Sequence, residues 1–588
     1  MDFNWIQIWV MFVVGMLVIG LYREWFNPAL SFFIAVIALL LSQVITPAEL
    51  LKGLSNQQII VIFLLILVTT GIRSLVGPNL FVKLFNPTLH PKAFLARMML
   101  TVSSLSAFLN NTPIVAFMIP FVKEWSDRSG YPASRFLIPL SFATIFGGMI
   151  TVIGTSTNLV LLGLMNEYNL PLLKYTDFLF LGILVSVAGI LYLFFIGYNL
   201  LPSNQDKIDS MRQNLKAYIV ETEIFEGSSL VGKSVKEAGL RNLQDLFLVE
   251  IIRRDKVISP VSPEEVLHAG DALFFSGNTQ SIFNLINQDN GLRLPRQAKL
   301  DQEQQFNFIE AVIPAGSELI GVRIKDSDFR NKYNASIVAI HRDGKRVSGK
   351  VGEMHIAGGD FMLLLSGTND NPSRHEKDLF YISIPRRLES ANGKWKTGLG
   401  ITSFVLLIMG ITGVLPLFTA CLIILTLFVF TRVLTISTIR QQLDLNLLMV
   451  LVCSLAIGVA LEKSGAATVI AQGLIQVGQS IGTVAVLSAL FIITILLTSL
   501  VTNPAAVSIM FPIAMSLADQ LQLPGTPFFV AIAFAASGDF MTPIGYQTNL
   551  MVYGPGGYTF KDFVKVGTPL TLLYAILCIG FITWYYGL

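Results

Sequence analysis

Charge is scarce in this sequence. Only 13% of its 588 residues are Asp, Glu, Lys or Arg, about half of the roughly 25% found in soluble domains. Hydrophobic residues make up 53% and the mean hydropathy is +0.64, so most of the chain is built to sit in lipid. The net charge of +3 is too small to imply nucleic acid. Cysteine is rarer still. Cys421, Cys453 and Cys578 all lie in apolar runs, which reads as core packing and not as a disulfide framework or zinc site. None of the five histidines falls in a predicted span, which excludes a His–metal cluster inside the membrane. No GxGxxG follows a strand pattern and no GxxxxGK[ST] occurs, so a nucleotide-binding unit is not expected. No nucleophile–base pair or metal-ligand cluster recommends an enzyme. The opening "MDFNWIQIWVMFVVGMLVIGLYREW" lacks a basic n-region. Its apolar run exceeds the roughly 7–15 residues of a signal h-region, so it reads as a retained first span.

Long apolar runs are what the chain does have. Spans are expected near 4–21, 28–46 and 57–76, then two shorter arms at 93–109 and 113–122 joined by "NNTP". An interrupted span at 136–166 and a plain one at 176–200 follow. The order then returns: 396–413, 416–432 and 445–462, arms at 483–500 and 505–518 joined by "VTNP", an interrupted span at 526–554, and 566–587. A shift of 391 sets Gly154 on Gly545, Thr157 on Thr548 and Asn158 on Asn549; a shift of 392 sets Asn111 on Asn503. Arms with a polar tip read as re-entrant hairpins, which leaves five crossings per half. An odd number inverts the second half relative to the first, the architecture of many secondary transporters. Positive charge agrees: with the N-terminus outside, Arg23, Lys92, Arg97, Lys123, Arg128, Arg432, Arg440, Lys561 and Lys565 fall inside, and few basic residues outside.

The region 203–385 is polar and alternates like short strands. "FEGSSLVGKSVKEAGLRN" returns 89 residues later as "PAGSELIGVRIKDSDFRN", predicting two tandem modules on the cytoplasmic side. The expected fold is therefore an α-helical polytopic membrane protein: an inverted repeat of five spans plus a re-entrant hairpin per half, with two small α+β modules inserted. The expected boundaries are 1–202, 203–298, 299–388 and 389–588.

Unpaired polar groups are costly in hydrocarbon and survive where protein buries them or a wet cavity meets them. Four such breaks stand out: Asn110–Asn111–Thr112, Gly154–Thr155–Ser156–Thr157–Asn158, Thr502–Asn503, and Gly545–Tyr546–Gln547–Thr548–Asn549. One alone reads equally well as a helix kink; four at symmetric positions read as a site. Amide, hydroxyl and backbone oxygens can hold Na+ while helix N-termini face an anion. The expected anion contacts are Asn110, Asn111, Thr112, Thr155, Ser156, Thr502, Asn503, Gln547 and Thr548. The expected Na+ ligands are Asn111, Gly154, Asn158, Asn503, Gly545 and Asn549. Asp539, whose repeat mate is Gly148, is the one carboxylate in the second break, and an intramembrane acid is a functional candidate by default.

The tips and breaks resemble those of the divalent anion/sodium symporter (DASS) family, which carries Ser-Asn-Thr at each hairpin tip and a broken helix ending in Asn. Here the tips read Asn110–Asn111–Thr112 and Thr502–Asn503–Pro504. The inserts resemble TrkA-C modules, the C-lobes of potassium-conductance regulators (RCK). The resemblance implies a Na+-coupled symporter, a homodimer and an elevator-type movement of the hairpin domain. The tip departures point to sulfate, a small tetrahedral dianion held by N–H and O–H donors. A di- or tricarboxylate symporter or an ion/proton antiporter is the alternative, and a gated anion channel is the rival of another class. The expected location is the plasma membrane, with a small ligand of unknown identity on the cytoplasmic modules.

Overall fold

Two helical halves flank a pair of small antiparallel sheets. The computed structural model describes residues 4–588 apart from 24, 27, 56, 76–88, 205–218, 242, 244–245, 255, 259–260, 278–290, 294–307, 315–316, 334, 343–344, 348–352, 367–378, 382–393, 443–444, 479–481 and 544. The first half contains α1 Trp5–Tyr22, α2 Pro28–Leu41, α3 Pro47–Ser55, α4 Gln57–Leu75, α5 Pro91–Ser106, α6 Asn111–Ser129, α7 Ser134–Gly148, α8 Ser156–Glu167 and α9, which starts at Tyr175 and reaches Leu200 through a π turn at Leu193–Gly197. The second contains α10 Lys394–Ile411, α11 Leu417–Phe430, α12 Ile436–Gln442, α13 Leu445–Lys463, α14 Ala466–Gly478, α15 Thr483–Thr498, α16 Asn503–Leu521, α17 Thr526–Ser537, α18 Gln547–Tyr553 and α19 Phe560–Tyr586.

Helix ends recur with the sequence repeat. Gly130, at φ 74°, closes α6, and Gln522, at φ 55°, closes α16 at the matching place. Likewise Gln43 (φ 58°) follows α2 and Arg432 (φ 56°) follows α11. A left-handed residue there releases the chain from the helix, so α2 ends at Leu41 although the apolar run expected to span continues to 46. By length and hydropathy, three described helices can cross a membrane: Tyr175–Leu200, Asn503–Leu521 and Phe560–Tyr586. A fourth span is possible if α13 and α14, bent by 70° at their junction, are counted together. The apolar stretches of the other helices run 10–17 residues. α16 is thus span-length, although its sequence reads as a short hairpin arm. α14 follows the turn at Gly465 (φ 72°) and lies between the expected spans.

α9 and α19 are repeat mates and lie side by side running in opposite directions. At one end the Tyr586 hydroxyl donates to Asp177 Oδ1 (2.8 Å), near the middle Tyr192 donates to the Val566 carbonyl (2.9 Å), and at the other Asn204 Nδ2 donates to the Gly557 carbonyl (2.9 Å). Between the halves an aromatic cluster of Phe142, Phe146, Phe540 and Tyr574 fills the core. α5 and α7 approach backbone to backbone: a Cβ on Gly147 would lie 2.1 Å from the Ser103 carbonyl oxygen. Cys421, Cys453 and Cys578 are free and buried.

The sheets carry the second repeat. One has the order β3-β2-β4-β1-β5, with β1 Ile219–Ile224, β2 Leu246–Arg253, β3 Lys256–Ile258, β4 Ala272–Gly277 and β5 Leu292–Arg293. The other has β10-β6-β9-β7-β8, with β6 Phe308–Val312, β7 Ala335–Arg342, β8 Lys345–Arg346, β9 Phe361–Ser366 and β10 Phe380–Tyr381. That is the same topology read from the other edge. Each has a fork-to-fork ion pair in which the carboxylate is fully buried: Arg253 with Asp271 (2.8 Å) and Arg342 with Asp360 (2.7 and 2.8 Å). Hydrogen bonding to Asp271 raises the Arg253 pKa, which fixes its charge. The fork and a backbone N–H, from His268 or Ala357, satisfy each carboxylate. Removing the cation while the carboxylate stays buried is strongly destabilising. Arg342→Ala should therefore cost the second module on the order of 3 kcal/mol. The expected readout is faster limited proteolysis within 308–381, with cleavage in the helical halves unchanged.

This second sheet rests on the helical region. Lys123 of α6 pairs with Glu310 (2.6 Å; Glu310 side chain 2% exposed) and lies over the Phe361 ring. Phe361 packs beside Gly554 at the end of α18, and Gly359 lies against Leu550.

Candidate functional site

The two hairpin tips are built alike. Ser106, at the end of α5, places its hydroxyl between Asn111 Oδ1 and the Thr144 carbonyl oxygen (2.8 Å), sharing one proton between the two. In the second half Thr498 lies 2.9 Å from Asn503 Oδ1 and 2.8 Å from the Ala536 carbonyl oxygen. A hydroxyl five residues before each tip Asn therefore orients that amide and pins the arm to the next helix, α7 or α17. Pro504 occupies the first turn of α16, where no N–H is required.

The two breaks also match. Where α7 stops at Gly148 the chain unwinds until Thr155 caps α8, its hydroxyl accepting from the Thr157 N–H. Asn158 Nδ2 reaches back to the Thr151 carbonyl (3.2 Å), and Asn549 Nδ2 to the Thr542 and Asp539 carbonyls (3.0 Å each). Each Asn holds the unwound loop by the carbonyls that the lost helix leaves unpaired.

Contacts between the halves join the first tip to the second break. Asn111 Nδ2 donates to the Tyr546 hydroxyl (2.6 Å), which Thr155 also reaches, and Thr112 donates to Gln547 Oε1 (3.1 Å). The Ser141 hydroxyl lies 2.8 Å from Thr548 Oγ1 and 2.7 Å from Asn549 Oδ1. α18 packs on α6 and α7, while α16 packs on α8. Asn503 is held within its own half through Thr498.

Burial sorts the expected residues. Asn111, Thr155, Asn158, Asn503, Thr548 and Asn549 are buried; Thr112, Ser156 and Gly545 are partly exposed; Asn110, Thr502 and Gln547 are exposed. Two oxygens of the first half converge: a Cβ on Gly148 would lie 2.9 Å from Asn111 Oδ1 and 3.2 Å from the Gly154 carbonyl oxygen. Neutral amide and carbonyl oxygens meeting in this way suit a hard cation. Neither tip nor break contains a basic residue. Ser106, Ser141, Thr498 and Ser499 belong to the same network and were not among the residues expected from sequence; Tyr546 was named within the second break but without a role of its own. For Ser106 and Thr498 the available signal was a hydroxyl at the same offset before both tip asparagines.

A family model described as citrate transporter (CitMHS) matches residues 9–412 and 404–587. The chain belongs to that family. The permease is 33% identical over 575 residues, 94% of its own length and 97% of the relative's, to a Chlamydomonas reinhardtii protein named "Putative sulfur deprivation response regulator". It is 31% identical over 577 residues to an uncharacterized transporter of Synechocystis, covering 94% and 92% of the two chains. It is also 23% identical over 779 aligned positions to sodium/sulfate cotransporter 1 of C. reinhardtii, covering 96% and 88%. The family and the apolar helices make the chain a membrane protein and a secondary transporter of anions, not an enzyme.

Proposed function

We propose that the permease is a Na+-coupled symporter that imports a divalent oxyanion, sulfate, by elevator-type alternating access. The observation that carries this reading is the join between one half's tip and the other half's break, Asn111 to Tyr546 and Thr112 to Gln547. A substrate contacting both would be released by movement of one against the other. The antiparallel pairing of α9 with α19 supports an inverted repeat, in which the same contacts can form from either side of the membrane.

In this reading the buried amides hold Na+ and the accessible groups hold the anion. Asn111 Oδ1 with the Gly154 carbonyl, and Asn503 Oδ1 with the Gly545 carbonyl, supply the cation oxygens; Asn158 and Asn549 fix the loops that present them. When bound, Na+ supplies the positive charge that the site's own side chains lack. Asn110, Thr112, Ser156, Thr502 and Gln547 offer amide and hydroxyl donors to the anion, and the starts of α6, α8 and α16 add backbone N–H groups. A dianion of sulfate's size can be satisfied by such donors without Arg or Lys. Relatives named as sodium/sulfate cotransporters favour this ion.

The two sheet modules read as TrkA-C domains on the cytoplasmic face of a plasma-membrane homodimer. The Lys123–Glu310 pair places the second against α6, through which a ligand on the module would bias the transport cycle.

The family description favours a second reading, a di- or tricarboxylate substrate. Competition separates the two. In Na+, sulfate is expected to displace radiolabelled sulfate from the purified permease at least tenfold better than succinate or citrate. The reverse order would assign the site to carboxylates.

A further inference from the structure

Asp539 is the one place where the two halves of this site differ in charge. It is fully buried. The Ser499 hydroxyl, which shares its one proton with the Ile495 carbonyl (2.9 Å), lies 3.2 Å from its Oδ1. The Thr542 hydroxyl donates to its Oδ2 (2.9 Å), and backbone N–H groups of Met541 and Thr542 also reach the carboxylate. Its own carbonyl accepts from Asn549. Among the described residues no Lys, Arg or His pairs with the carboxylate. The side chains that bond to it or to its carbonyl, Ser499, Thr542 and Asn549, are uncharged.

The repeat shows where this carboxylate has been put. Its mate is Gly148, and a side chain beginning there would point at Asn111 Oδ1 and the Gly154 carbonyl. Those are the oxygens assigned above to the first cation site. In the second half the corresponding space is occupied. A Cβ on Gly545 would lie 1.9 Å from Asp539 Oδ2 and 2.9 Å from the Thr498 carbonyl oxygen. Thr498 in turn orients Asn503. The carboxylate therefore lies against Gly545, in a space bordered by the backbone of Thr498, the residue whose hydroxyl orients the second tip.

We infer that Asp539 is an anionic ligand of the second Na+ site, so that the two sites are chemically unequal. This rests on the Na+-symport reading. The first site is all neutral and becomes positive when occupied. The second carries a fixed negative charge and becomes neutral when occupied. Neutral hydroxyl and backbone N–H donors do not supply the positive charge that a fully buried carboxylate requires, whereas a Na+ beside it does. The second site should consequently bind Na+ more tightly and fill first. Occupation of the first site then provides the net positive charge met by the anion.

The test is Na+ binding to the full-length permease without anion, at constant ionic strength with choline as replacement. It is read by radiolabelled Na+ and by the melting midpoint. The wild type should show a tight and a weak class. Asp539→Asn should weaken the tight class at least tenfold and leave the weak class in place, whereas Asn111→Ala should do the converse. In Na+-free medium Asp539→Asn should melt no lower than wild type, because it removes an uncompensated buried charge. Asp539→Glu should recover part of the Na+ response. A wild type that binds Na+ together with an Asp539→Asn curve unchanged from it would overturn the assignment and leave the symport reading standing. Intact Na+ binding with a lost pH dependence of uptake would give the carboxylate to a proton and overturn it equally. A wild type with no Na+ response would remove the symport reading and this inference together.

Discussion

Asn111→Ala is expected to lower Na+-driven anion uptake roughly 30- to 100-fold, with the protein still folded and present in the membrane. Three groups lose a partner at once. The Tyr546 hydroxyl loses the amide N–H at 2.6 Å, the Ser106 hydroxyl loses one of its two acceptors, and the first cation position loses its side-chain oxygen. Stranding a buried polar partner costs about 1–3 kcal/mol, and about 1.4 kcal/mol is a factor of ten. Thr155 still reaches Tyr546 and Thr144 still accepts from Ser106, which is why folding should survive. Uptake as a function of Na+ separates the effects: the half-saturating Na+ should rise more than the half-saturating anion. Asn503→Ala should act on Na+ too, but without disturbing Tyr546. Wild-type uptake at unchanged Na+ dependence in both variants would remove the tips from the site.

Gly154→Ala should be more severe and of a different kind. The added Cβ would lie 2.4 Å from the Gly148 carbonyl oxygen and 2.8 Å from its Cα. Both are backbone, so no rotamer change relieves the clash, and overpacking of this kind costs typically 1–3 kcal/mol. Relief requires the loop between α7 and α8 to open, which moves the Thr151 carbonyl held by Asn158. Uptake should fall to background and the melting midpoint should drop by several degrees. Gly580→Ala on α19, where nothing lies within 4 Å of the new Cβ, is the matched control and should transport normally. Equal behaviour of the two would mean that the break tolerates a side chain and its geometry is not specific.

The tips and breaks were legible because membrane burial makes polar residues conspicuous, and the repeat displays each of them twice. The strand pairs at a spacing of 89 were legible because they too are displayed twice. The supporting hydroxyls were not. Ser106 and Thr498 reach a tip Asn, whereas Ser488 and Thr494 donate to the carbonyls of Val484 and Leu490 within their own helix. In sequence all four are small hydroxyl residues in apolar runs, and although Thr494 is as buried as Thr498, only the fold shows which of them reaches a tip. The Lys123–Glu310 pair joins positions 187 apart with no local pattern to announce it. The early end of α2 was hidden because Gln43 carries no turn signature like that of glycine or proline.

Na+ driving the anion across the bilayer is the property that a transport measurement tests most directly. The purified permease, reconstituted into proteoliposomes, is given radiolabelled sulfate outside with an inward Na+ gradient, with equal Na+ on both sides, or with choline in its place. The prediction is saturable accumulation above the external concentration under the gradient, equilibration with equal Na+, and background with choline. Saturable uptake that ignores Na+, or non-saturating flux that only equilibrates the anion, would contradict it.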